Sequence, residues 1–262
     1  MTLMSSVQRN SSQIYKYHVE NLREVEIALK NVSRLARETI ARKDPENSLR
    51  SCLRMYTLLI GAWAECRLNK LLHEEFGFTS SDRQKVEFPR SKLDQWKELI
   101  NVAFRKHYGI PDAPLDQHSL SCENNDRYIA LNNALTNELR IVIEIRNKLA
   151  HGQWINPLNS NNTSLNMDKQ RLLNEENLMS LQLKFSLVEH LADIVHDLVV
   201  SPTTFERDFN FHYDLLCQVR VNIRKKDYNK YKSGLERRSE IVRRNRNQQV
   251  VDINSNNLNS DS

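Results

Sequence analysis

The chain has 262 residues, of which 5 are Gly and 6 are Pro, roughly a third of the share these two residues hold in average proteins. So few chain-breakers favour long helices and argue against a many-turned β-sandwich or a doubly wound α/β fold. The glycines, at positions 61, 77, 109, 152 and 234, never cluster, so no GxGxxG and no P-loop can be written. The formal charge of +5 is uneven: between Arg220 and Arg246, 11 Arg and Lys stand against 3 acids, a local +8 on a body of −3. Such a basic C-terminal arm fits a polyanion partner, and equally a solvated helical face.

The first helix is expected from Ser12 to Ala41, with Leu22, Val25, Leu29, Val32 and Ala36 recurring at three- and four-residue steps along one stripe. Asp44-Pro45 restarts the chain, with Asp44 as N-cap and Pro45 in the first helical position. The second helix, Pro45 to Glu75, carries Leu49, Cys52, Leu53, Tyr56, Leu59, Ile60, Trp63 and Leu68 over a wide apolar face and should be central. Gly77 stops it, and a loop is expected to Arg90. Ser91 with Asp94 opens a third helix that Gly109 ends after Tyr108.

After a proline-containing loop, a fourth helix is expected from Asp126 to His151, ended by Gly152. The stretch Gln153 to Met167 suggests two short extended pieces around an Asn-Ser-Asn-Asn turn. A fifth helix runs from Glu175 to Val199, a sixth starts near Thr203 and leads into the basic arm, and an Asn/Ser/Asp-rich tail is expected to be disordered. The chain therefore divides into an N-terminal amphipathic helix (1–43), a helical bundle (44–200), a basic helical extension (201–250) and a tail (251–262). The fold class is all-α, with a small irregular or hairpin insertion after the fourth helix.

Cys52, Cys66, Cys122 and Cys217 are far apart with no CxxC, which fits reduced thiols rather than a disulfide frame or a zinc site. The polar N-terminus has no apolar core of a signal peptide, and the longest apolar run, Leu58 to Ala64, is far short of a membrane span. A cytoplasmic protein without membrane contact is expected. Glu189, Asp193, His196 and Asp197 share a helical face, but no paired Glu-x-x-His helices and no HExxH accompany them, so no metal or cofactor is expected. No GxSxG nucleophile elbow is present.

The informative segment is Glu144-Ile-Arg146-Asn147-Lys-Leu-Ala-His151-Gly-Gln-Trp154. Arg followed at five or six residues by His occurs three times, as Arg146/His151, Arg67/His73 and Arg207/His212, so spacing alone selects none. Only the first combines a polar residue after the Arg with a place at the C-terminal end of a late helix. This R-N-K-L-A-H segment resembles the signature of the HEPN superfamily, all-α domains of which many are metal-independent endoribonucleases. The resemblance covers about Leu49 to Val199 and leaves out the first helix and the basic arm.

The resemblance implies RNA cleavage by the ribose 2′-OH, with Arg146 binding the phosphate, His151 as acid and base, and Asn147 orienting the imidazole. Those residue types suit that chemistry. His is the side chain that titrates near neutral pH, and Arg is a permanent cation with forked donors. Asn147 and His151 are i,i+4 and share a face, whereas Arg146 and His151 stand about 140° apart around a regular helix. The resemblance therefore also implies a homodimer in which two motifs line one cleft, and a setting with an antitoxin or phage-defence partner protein. Glu65 on the second helix is a further candidate, because family members often carry a polar or acidic residue there. Residue chemistry alone leaves a capped helix end open as well, with Arg146 a surface charge, Glu144–Lys148 an ion pair and His151 favoured by the helix dipole; Glu65 would then pair with Asn69 or Lys70. Trp63 and Trp154 read as core. Two other functions remain in view: an inactive HEPN-like binding or scaffold protein, and a nucleic-acid-binding regulator acting through the basic arm. The arm could instead be part of the bundle, since Tyr228, Tyr231 and Leu235 offer an apolar edge at helical spacing.

Overall fold

A computed structural model of the chain describes the backbone of residues 2–258 and the side chains of residues 13–245. The fold is an all-α bundle: α1 (Thr2–Arg42), α2 (Glu46–Leu72), α3 (Ser80–Glu87), α4 (Lys92–Tyr108), α5 (Cys122–Ala134), α6 (Arg140–Ala150), α7 (Met167–Glu175), α8 (Leu178–Val200), α9 (Pro202–Lys225) and α10 (Tyr228–Leu258). A π-turn at Leu135–Leu139 joins α5 to α6 without a break, so the expected fourth helix is one rod from Cys122 to Ala150. Leu131, Leu135 and Leu139 are spaced by four residues, and the wider i→i+5 turn keeps all three buried.

The most apolar helix, α2, is central, with Cys52, Leu53, Tyr56, Ile60, Trp63, Ala64 and Leu68 in one core with residues of α1, α4, α8 and α9. α4 begins where expected: Ser91 Oγ accepts the Asp94 amide at 3.1 Å, and Gly109, at φ 65°, ends the helix.

Several sequence expectations change. Asp44 does not cap α2: Pro45 occupies that position without a side-chain hydrogen bond, while the Asp44 amide is spent on the Thr39 carbonyl at the end of α1. The expected loop before Arg90 contains α3, opened by a Thr79/Asp82 capping box. The expected fifth helix starts three residues late, at Leu178, because Asn177 caps it and α7 takes up Met167–Glu175. Of the two readings of the basic arm, its first half follows the one in which an apolar edge joins the bundle. Tyr231 and Leu235 pack on the main core, Tyr231 Oη donates to Gln182 at 3.1 Å, and Lys43 meets Glu240 at 3.3 Å. Residues 251–258, expected without structure, continue α10 because no Gly or Pro follows Gly234, and residues 259–262 of that tail lie outside the described residues.

Between α6 and α7 the chain makes a small hairpin-like turn, with an antiparallel bridge Leu158–Leu165 and Asn162 at φ 55°. This is the insertion expected after the motif helix. The four cysteines are free thiols; Cys52 is buried and Cys122 is exposed.

Candidate functional site

The site is assembled where α6 crosses α2. α6 buries Val142, Ile143, Ile145 and Leu149. Of these, Ile145 and Leu149 form a small cluster with Leu173, flanked by Leu58 and Trp154. Burying those positions turns Arg146 toward α2 and leaves Asn147 exposed.

Gly61 makes this crossing possible. A Cβ at Gly61 would lie 2.4 Å from both Cβ and Cγ of Arg146, so the arginine stem rests directly on the α2 backbone. A glycine inside a helix costs about 1 kcal/mol relative to alanine, and here it admits the Arg146 stem. One turn further along α2 is Glu65, and its Oε2 accepts from Arg146 Nη2 at 2.6 Å. Arg146 Nη1 donates to Asn147 Oδ1 at 3.0 Å. The Arg146 and Glu65 side chains keep 26% and 19% of their surface exposed, so water reaches the pair.

His151 stands at the end of α6. It is exposed, and its backbone amide bonds to the Asn147 carbonyl at 3.2 Å. Gly152, at φ 77°, closes the helix: its amide reaches Leu149 O and the Gln153 amide reaches Lys148 O at 2.9 Å, the double bond of a Schellman end that favours glycine. No side-chain hydrogen bond of His151 is found among the described residues. The structure therefore joins Arg146, Asn147 and Glu65, and it does not join Asn147 to His151. The Asn147 carboxamide is taken by the guanidinium next to it, which offers a charged donor.

The alternative pairings proposed for a plain helix end are also not made. Glu144 pairs with Lys169 and lies 3.9 Å from Arg140, not with Lys148. Lys70 pairs with Glu74, leaving Glu65 to Arg146. Cys66, beside Glu65, has its thiol pushed up by burial and by Glu65, with Arg146 opposing, so it is not a poised thiolate.

A second Arg–Glu pair supports the site from below. Arg54 is buried; its Nε donates to the Trp154 carbonyl at 3.0 Å and its Nη1 to the Leu173 carbonyl at 2.7 Å and to Glu176 at 3.2 Å. Thr57 donates to the same Glu176 oxygen at 2.9 Å, and Lys184 approaches the other at 3.7 Å. Burial pushes the Glu176 carboxyl up and the Arg54 guanidinium down, and the mutual charge and hydrogen bonds oppose both effects. The pair ties the chain after His151 to α2. Trp154 adds a bond from its indole to the Leu149 carbonyl at 3.0 Å. Sequence reading missed Arg54, Thr57 and Glu176, which carry no motif. It also missed the role of Gly61, whose signal was a lone glycine inside an apolar helix.

The other Arg/His spacings form no comparable site. Arg67 holds Asp193 at 3.1 Å while the His73 ring lies tilted against His18 at 4.7 Å, and Arg207 pairs with Asp208 while His212 faces Asp197 at 3.7 Å. The polar face of α8 is divided among separate partners. His196 lies 3.6 Å from Glu74, whose burial is outweighed by bonds from His196, Lys70 and Tyr15 that hold its carboxyl down at about 2. Burial, Asp193 and Glu26 push Glu189 up to about 7. Among the described residues, no group of three or more His, Cys, Asp or Glu is arranged to hold a metal ion. A cleft of about 760 Å³ opens between the end of α1, the start of α2 and α10, lined by Arg50, Arg54, Tyr228 and Lys232. It does not include Arg146, Asn147, His151 or Glu65.

Comparison with known proteins finds no matching family model, no matching curated protein and no matching solved structure. Among the described residues no helix is long and apolar enough to cross a membrane.

Proposed function

We propose that this chain is a metal-independent endoribonuclease of the HEPN type, acting as a homodimer in the cytoplasm. The observation that carries the reading is a water-accessible arginine, Arg146, fixed by a carboxylate and an amide at the end of a helix that finishes on an exposed, unencumbered His151. A guanidinium in that state can exchange Glu65 for a phosphate and give it forked donors. His151 then accepts the proton of the ribose 2′-OH. The 2′ oxygen attacks the adjacent phosphorus, the P–O5′ bond breaks, and the imidazolium returns its proton to O5′. The products are a 2′,3′-cyclic phosphate and a 5′-OH end. Exposed cations of α10, including Arg237, Arg238, Arg243 and Arg244, add backbone contacts to the RNA. An antitoxin or defence-system protein is the partner that this reading implies.

The test is incubation of the purified protein with RNA in EDTA. Cleavage is expected to persist, and His151→Ala is expected to lower its rate by about 10²–10⁴-fold, the usual contribution of a positioned acid or base. Cleavage that stops in EDTA and returns with magnesium overturns the mechanism.

One observation favours a second reading, a helical RNA-binding or scaffold protein without catalysis. Both outer nitrogens of Arg146 already have acceptors within the chain, and Asn147 does not orient His151. RNA binding with no cleavage in the same experiment selects it.

A further inference from the structure

The cleft between the end of α1, the start of α2 and α10 has a volume of about 760 Å³, within the range of roughly 300–1,000 Å³ that small-molecule sites occupy. The first turns of α2 build one wall, where Leu49, Arg50, Leu53 and Arg54 recur at three- and four-residue steps and share a face. Tyr228 and Lys232, also four residues apart, line the cleft from α10. Arg54 is the buried anchor. It is 3% exposed, and its Nε and Nη1 are spent on the Trp154 and Leu173 carbonyls and on Glu176. Nη2 has no acceptor among the described residues. Nor is it enclosed: the enclosed side-chain atoms without a partner are Arg67 Nε, Trp96 Nε1 and Arg127 Nε. The hydrogens of Arg54 Nη2 are therefore open to the cleft that the residue lines.

That atom decides what the cleft takes. Acids and bases are balanced along the lining, where Asp44, Glu46 and Glu236 accompany the cations. The buried acid, Glu176, is already satisfied by Arg54, Thr57 and Lys184. The buried group with an unspent atom is a guanidinium, which only donates, so the ligand must bring acceptors. Glu46–Arg50 and Lys232–Glu236 have the i,i+4 spacing of helical ion pairs, and neither pair forms among the described residues. Arg50 thus keeps its charge one turn from Arg54. Burial pushes the Arg54 guanidinium down, Glu176 opposes this, and Arg50 adds to the fall. An anion between the two guanidiniums, which are about 6 Å apart along the helix axis, relieves that repulsion. A phosphate has three terminal oxygens for these donors, where a carboxylate has two. We propose that this cleft binds an organic phosphate monoester, with the phosphate held by Arg50, Arg54 Nη2 and Lys232 and an apolar or aromatic body against Leu49, Leu53 and Tyr228. The cleft lies apart from Arg146 and His151, so this inference and the nuclease reading stand or fall separately.

Isothermal titration calorimetry of the full chain with phenyl phosphate tests the proposal, with inorganic phosphate and benzoate as comparisons. Wild type is expected to bind phenyl phosphate with a Kd of about 100 μM or tighter. Inorganic phosphate, without a body, and benzoate, without the third oxygen, should each bind about 10-fold or more weakly, the scale of one lost set of contacts. Arg50→Gln/Lys232→Gln changes two exposed positions and should weaken phenyl phosphate by about 10-fold or more, the scale of one lost charged hydrogen bond. Arg237→Gln/Arg238→Gln removes the same charge from exposed positions of α10 outside the cleft and should bind as wild type does. Arg54→Met/Glu176→Leu, once its circular dichroism shows a folded chain, should bind no phenyl phosphate; if it does not fold, the Arg50/Lys232 variant decides. A wild type without saturable binding, or an Arg50/Lys232 variant that binds like wild type, overturns the site. A control weakened as much as that variant shows diffuse charge and overturns it too. Benzoate that binds as tightly as phenyl phosphate overturns the assignment to a phosphate.

Discussion

Two arginine–glutamate pairs join α2 to later parts of the chain, and they do different work. Arg54–Glu176 spans 3.2 Å with 4% and 3% of the side chains exposed, and Thr57, Lys184 and two backbone carbonyls complete its bonding. Arg146–Glu65 is tighter, at 2.6 Å, but keeps 26% and 19% exposed and shares the arginine with Asn147 alone. The first pair is almost fully buried and bonded by its own chain, although Arg54 and Glu176 stand in the wall of the cleft beside α10. The second lies where water and an anion can compete for the guanidinium. Proximity does not separate an enclosed pair from an accessible one; the supply of competing partners does.

The largest effect is expected at the enclosed pair. Arg54→Met leaves the buried Glu176 carboxyl with Lys184 as its remaining cation and should destabilise the fold by about 3–5 kcal/mol. Urea unfolding measures this, and a loss below about 1 kcal/mol would mean that solvent already reaches the pair. The Arg54→Met/Glu176→Leu double variant should recover much of the loss, because an apolar replacement removes the unpaired charge.

Gly61→Ala comes next. The added Cβ meets Arg146 at 2.4 Å and must push α6 away from α2. The strain of about 1–3 kcal/mol exceeds the gain of about 1 kcal/mol in helix propensity. A modest drop in melting temperature is expected, together with a larger fall in RNA cleavage than in stability. A stabilised, fully active Gly61→Ala protein would show that α6 moves freely over α2.

Glu189 shows what a carboxylate does on this scaffold without a bound arginine. Burial, Asp193 and Glu26 raise its carboxyl to about 7, above its unfolded value. The folded state then holds the extra proton between about pH 4.5 and 7, so this group's contribution to stability falls as pH rises through that window and stays low above it. Glu189→Gln should be stabilising by about 1 kcal/mol at pH 8, after allowance for solvent screening, and near neutral at pH 5. Melting curves at the two pH values check the sign.

The smallest change in stability is expected at the exposed pair. Glu65→Gln should cost under about 1 kcal/mol while freeing Arg146, and RNA affinity measured in EDTA should rise a few-fold. Affinity that falls would make Glu65 a positioning residue for Arg146 instead of a competitor for it.

Much of the helical framework was legible because its signals are local. The stripe Leu22 to Ala36, the Ser91 cap and the Gly109 and Gly152 stops each act within a few residues, and the structure keeps them. The Thr79/Asp82 box that opens α3 is equally local, but a helix of 8 residues with one buried side chain has no apolar stripe to mark it in the sequence. For the candidate site, sequence reading singled out Arg146, Asn147, His151 and Glu65, but it assigned Asn147 to His151 on helical spacing. That spacing places two side chains on one face and does not decide which donor wins the Asn147 oxygen. The charged guanidinium next door did.

By itself, the sequence determined an all-α chain, some of the places where its helices break, such as Gly109 and Gly152, and an Arg-Asn…His segment at a helix end, since each depends on residues within about one turn of one another. Only the tertiary structure decided that Arg146 rests on Gly61 and holds Glu65, 81 positions away, and that Arg54 ties Trp154, Leu173 and Glu176 to α2 over separations of 100, 119 and 122 positions. Those partners are chosen by which helix faces are apolar enough to pack together, and a polar residue's long-range partner leaves no periodic trace in the chain.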